Sequence, residues 1–121
     1  MPSRDEHLAQ ARHNTQFYTT VDKGTFRDWA VTVLFYTGLH YVDALFAEKR
    51  NIHPTSHTAR SDEVARSTEL RPVYVNYEAL KNASYNARYK PPTRFSAGFL
   101  NDLENRHLAR VREAVGRHIA I

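Results

Sequence analysis

The chain has 121 residues and a mass of 14.0 kDa, with 41% apolar and 25% charged residues. That fits one globular domain with a single core and excludes a disordered chain. Cysteine is absent, which excludes disulfides and thiolate metal sites. The formal net charge is +4, with 13 Arg against 4 Lys, so either a polyanionic partner or an ordinary basic surface with ion pairs fits. The charged opening MPSRDEHLAQ predicts no secretory leader, and no apolar run reaches the roughly 18 residues of a membrane span. The expectation is a cytoplasmic protein with no membrane partner.

Residues 3–21 read as a first helix, with Leu8, Ala11, Thr15 and Tyr18 at helical spacing. Val21-Asp22-Lys23-Gly24 reads as a turn, with Gly24 placed to end that helix. Residues 25–50 read as a second helix of roughly 35–40 Å at 1.5 Å per residue. Thr25 and Asp28 have capping-box spacing at its start. Val31, Leu34, Phe35, Gly38, Tyr41, Val42, Leu45 and Phe46 cover more than half of its circumference, so it must be wrapped on several sides. The remaining arc, about 80° wide, holds Trp29, Thr32, Tyr36, His40, Asp43, Ala47 and Arg50. An enclosed helix whose polar seam opens toward the following loop is the expected centre of the fold.

Residues 51–56, NIHPTS, read as a loop, with Thr55 or Ser56 capping a third helix over 57–69. Pro72 suits the first position of a fourth helix reaching Tyr89, with Val73, Tyr74, Tyr77, Leu80 and Ser84 inward. Lys90-Pro91-Pro92-Thr93 is a stop. Ser96 caps a last helix, with Phe95 and Leu100 at staple positions. Leu100, Leu103, His107, Val111, Val115 and Ile119 form its buried stripe. No segment alternates with period two. The expected class is all-α: four main helices plus one short helix in a single domain.

Four blocks in this order, DWAVTVLFYTGLHYVDALFAEK, NIHPTSHTARSDEV, LKNASYNARY and the Phe95-Ser96 helix start, resemble the HEPN superfamily. These are small helical bundles of prokaryotic toxin–antitoxin and defence loci, often found beside minimal nucleotidyltransferases. The resemblance covers residues 25–119. It implies a homodimer that binds RNA or nucleotides. In the ribonuclease branch it implies metal-independent cleavage by an Arg-x4-6-His motif. A non-catalytic module pairing with a nucleotidyltransferase or other effector subunit is equally compatible with it. The motif spacing occurs at Arg50–His57 and at Arg112–His118, whereas Arg88 has no histidine within reach.

The densest constellation is His40 and Asp43 with Arg50, Asn51, His53, His57 and Arg60. His57, His40 and Arg50 are the candidate catalytic groups: an imidazole can move a proton and a guanidinium can neutralise a phosphate. Arg60, Arg88, Asn51 and His53 are candidate phosphate or RNA ligands, and Asp43 and Tyr36 candidate orienting groups. The structural alternatives are a core His40 bonded to Asp43 or a tyrosine, a capping role for Ser56-His57, and an Arg88 that answers the helix dipole. His40, Asp43, His53 and His57 also form an N/O donor set for a divalent ion, but the spacing is nonspecific. No metal and no cofactor are expected. Tyr36, Tyr41, Tyr74, Tyr77 and Tyr85 are either base-stacking or core residues.

Overall fold

Ser3 begins the first helix, α1 (Arg4–Thr20), through a reciprocal capping box. Its Oγ accepts the Glu6 N–H, and the Glu6 carboxylate accepts the Ser3 N–H. The structure, a computed structural model, describes residues 1–121 and is helical throughout, without strands. α1 ends with Val21 in extended backbone, and Gly24 does not adopt a positive φ. The turn is therefore not closed by glycine as expected. Asp22 closes it: its carboxylate accepts the N–H groups of Gly24 and Thr25 and the Thr25 hydroxyl.

That turn carries the next helix start one residue past Thr25, to Phe26. α2 (Arg27–Lys49) starts at Phe26 with no side-chain cap, so the Thr25–Asp28 capping box does not form. α2 is the central rod. Val31, Phe35, Val42, Leu45 and Phe46 are fully buried, with α1 on it from one direction and α4 and the C-terminal rod from others. By length and hydropathy α2 could cross a membrane, but 78% of that window is buried inside this fold. Gly38 sits where α2 crosses its neighbours; an added Cβ would lie 3.2 Å from Leu80 Cδ1 and 3.5 Å from Leu108 Cδ1. Asn51 ends α2 in left-handed backbone (φ 50°), and the Ile52 N–H turns back to the Phe46 carbonyl. Asparagine tolerates that conformation at small cost.

α3 (His57–Arg66) is capped by Ser56, whose Oγ accepts the Ala59 N–H. It stops three residues before the expected end. Ser67 forms a side-chain turn, donating to the Val64 carbonyl and accepting the Leu70 N–H. Pro72 lies in a short 3-10 turn (Arg71–Val73) that feeds α4 (Tyr74–Tyr89), whose Tyr77, Leu80 and Ser84 are buried as the spacing predicts.

The C-terminal rod is α5 (Ala97–Asp102), a π-helical segment (Leu103–Leu108) and α6 (Ala109–Gly116). Ser96 caps it through the Phe99 N–H. All six residues of the predicted stripe are buried, and the π segment explains how. Leu103, His107 and Val111 are spaced by four, which overshoots a 3.6-residue turn. The wider i→i+5 winding brings them back onto one face. The helix ends at Gly116, and Ile119 reaches the core from the turn beyond it.

Candidate functional site

His57 stands in the first turn of α3 because Ser56 fixes that helix start. Its ring packs on Phe35 (centroids 5.4 Å) and beside Tyr36 (6.1 Å). Nδ1 is buried without a hydrogen-bond partner, which leaves Nε2 as the nitrogen that can meet a ligand. Arg88 comes from the last turn of α4. Its Nε donates to Ser84 Oγ (3.1 Å) and to the Ser84 carbonyl (3.3 Å). Its guanidinium carbon lies 5.4 Å from the Tyr36 centroid and 4.9 Å from that of Tyr89, inside cation–π range. Tyr36 is thus the common neighbour of an imidazole and a guanidinium. Lys81 approaches from α4, held by Ser61 and Glu78.

Burial holds His57 below the ordinary imidazole value, and the charges of Arg60, Arg88 and Lys81 push it further down against Asp43. The result is a neutral imidazole in a positive field. At neutral pH such a group is unprotonated, with its nitrogen lone pair free, though it is a weaker base than a free imidazole, and the surrounding cations attract a phosphate.

The other expected site residues are placed differently. Arg60 is buried and forms a bidentate pair with Asp43: Nε donates to Oδ1 at 2.8 Å and Nη2 to Oδ2 at 3.1 Å. Nη2 also donates to the Pro54 carbonyl (3.0 Å), so Arg60 fastens the loop before His57 to α2. It is not a free phosphate ligand, and Asp43 orients Arg60 rather than His40. Arg50 turns outward to a salt bridge with Glu69 and does not join His57. Asn51 is exposed and serves the backbone turn. His53 is half-buried, with Nδ1 unpartnered.

His40 meets a residue absent from the sequence-based site: its Nδ1 lies 3.0 Å from Nδ1 of His7 on α1. Burial lowers both imidazoles, and for His40 the charge of His7 is the next cause. The polar seam of α2 is thus shared. α1 covers His40, α3 covers Asp43 and Tyr36 faces His57, while Trp29 is exposed. The four supposed metal donors do not converge, and no group of three His, Asp or Glu side chains is placed to hold an ion.

Two signals could have found the missing pieces. A stripe drawn through His7, Ala11, Asn14 and Tyr18, all buried, would have turned His7 toward α2. Residues 79–101 contain no acidic side chain, which marks the later part of α4 and its following turn as basic. Compared with protein-family models, curated proteins and solved structures, the chain finds no match.

Proposed function

We propose that this all-α bundle is a HEPN-like protein that binds RNA or a nucleotide, and that His57 and Arg88 carry its chemistry across Tyr36. The observation behind this reading is the shared ring: Tyr36 contacts His57 at 6.1 Å and Arg88 at 5.4 Å. In a phosphodiester complex Arg88 neutralises the phosphate as its charge rises; His57 Nε2 takes the proton of the 2′-hydroxyl as that oxygen bonds to phosphorus, the P–O5′ bond breaks, and the departing 5′-oxygen takes a proton from solvent water. These two roles call for no metal ion, in keeping with the metal-independent branch that the sequence blocks resemble. The order of sequence blocks supports a toxin–antitoxin or defence setting, a homodimer, and the alternative of a non-catalytic subunit beside a nucleotidyltransferase. Arg88 here replaces Arg50 as the arginine of the site.

The test is incubation of purified protein with single-stranded RNA in chelator, beside His57→Ala and Arg88→Ala. Cleavage lost in both variants, with helical circular dichroism unchanged, is expected. Salt-dependent binding without cleavage assigns the non-catalytic role. Full cleavage in both variants removes these two residues from the mechanism.

A further inference from the structure

The stretch Ala79–Asn101 holds Lys81, Arg88, Lys90 and Arg94 and no acidic residue. Those four cations equal the net charge of +4, because the other 13 basic residues match the 13 acidic ones. A run of positive charge with no acidic neighbour in sequence therefore occupies the end of α4 and the turn after it, at Arg88, Lys90 and Arg94. Arg88, Lys90 and Arg94 form no salt bridge, whereas Lys81 pairs with Glu78, which lies just before the stretch.

Aromatic rings are interleaved with these cations. Tyr85 and Tyr89 project from the end of α4, 49% and 63% exposed, with centroids 5.2 Å apart. Lys90 Nζ lies 5.6 Å from the Tyr85 centroid and the Arg88 carbon 4.9 Å from that of Tyr89. A large ring left this open gains nothing for the core. Folding alone places Tyr77 of the same helix fully inside. Half-exposed rings alternating with cations that form no salt bridge complement a ligand that alternates flat bases with phosphates.

We propose that Tyr85 and Tyr89 form a stacking platform for unpaired bases of single-stranded RNA. Lys90 takes an adjoining phosphate, and the platform delivers the strand to His57 and Arg88. This rests on the reading of the His57–Arg88 site, and Arg88 joins the two, since it contacts both Tyr36 and Tyr89. The platform selects single strands on physical grounds. Bases inside an A-form duplex are stacked on one another and their faces are closed to a side chain. It reads no sequence, because every base offers a π-face.

The experiment measures fluorescence anisotropy of a labelled short oligoadenylate, alone and annealed to oligouridylate, with the full chain at low and moderate salt. The joint variant Tyr85→Ala/Tyr89→Ala is expected to weaken binding of the single strand about ten-fold or more. Tyr89→Phe, which keeps the ring, is expected to bind as the parent does. The duplex is expected to bind more weakly, with no response to the tyrosine variants. Both tyrosines are exposed, so the variants are expected to keep the helical spectrum. A folded joint variant that binds the single strand as the parent does overturns the platform. If Arg88→Ala then still abolishes binding, the His57–Arg88 site stands without it. Parent protein that binds neither strand nor duplex overturns both.

Discussion

The Nδ1 atoms of His7 and His40 stand 3.0 Å apart across the α1–α2 interface. At that separation one nitrogen must carry the hydrogen and the other must accept it, so two imidazolium rings cannot coexist there. Burial is the first cause that lowers both groups, and Arg60 adds to it. Asp43 opposes for both rings, and Glu6 also opposes for His7. His53 lies near enough to add to the positive field at His7. His57 and His107 are likewise lowered, mainly by burial.

A histidine whose folded pKa lies below its unfolded value of 6.5 binds fewer protons folded than unfolded. Its stabilising contribution is complete above that pH and is lost as pH falls toward the folded value. The melting temperature is expected to fall between about pH 7 and about pH 5. His7→Asn, which keeps a partner for His40 but does not titrate, is expected to flatten that fall. Equal melting temperatures for the parent across this range would refute the assignment.

Arg60 fixes the loop that leads into His57 from a buried position. It ties Asp43 of α2 to the Pro54 carbonyl, three residues before His57. Arg60→Ala leaves the buried Asp43 carboxylate without its partner and is expected to cost about 3–5 kcal/mol in urea unfolding. The joint variant Asp43→Leu/Arg60→Met removes both charges and is expected to cost much less. Equal losses for the single and joint variants would show that packing, rather than the unpaired charge, governs the site.

How far the residues foretold this arrangement depends on the kind of information each carries. The stripe from Leu100 to Ile119 and the inward set Tyr77, Leu80 and Ser84 were legible because burial on one face leaves a periodic trace. Ser56 and Ser96 were legible because a cap is a local hydrogen bond. Thr25 failed as a cap because the turn built on Asp22 moves the helix start to Phe26, one residue later. The partners of His40, Asp43 and Arg50 lie 33, 17 and 19 residues away. No local spacing encodes such pairings. Arg88 was legible both as a helix-end cation and as a candidate phosphate ligand, but its contact with Tyr36 arises from the packing of α4 on α2.

Gly38 measures that packing. Alanine there gains about 1 kcal/mol of helix propensity, but its Cβ meets the Leu80 methyl at 3.2 Å. The two Leu side chains end in flexible methyl groups, so Gly38→Ala is expected to fall within about 1 kcal/mol of the parent. Gly38→Val carries branched methyls further into Leu80 and Leu108 and is expected to destabilise by about 1–3 kcal/mol. Denaturant midpoints for the two variants check the order. A valine variant as stable as the parent would mean that α2 and α4 cross less closely.

Arg50 and Arg88 offer a direct contrast between two arginines of one chain. Arg50 pairs with Glu69, which it holds below the usual carboxylate range, at an exposed position. Exposed pairs of this kind contribute about 0–1 kcal/mol. Arg50→Ala is therefore expected to change stability by less than about 1 kcal/mol and to leave RNA affinity and cleavage intact. Arg88 lies against two tyrosine rings and accepts its orientation from Ser84. Arg88→Lys keeps the charge but loses the planar fork that stacks on a ring and grips a phosphate at two points. It is expected to weaken RNA binding nearly as much as Arg88→Ala, which a charge-only role would not do. Titration of the three variants with the same RNA separates the cases. Loss of binding in Arg50→Ala with parental binding in Arg88→Lys would return the phosphate site to the end of α2.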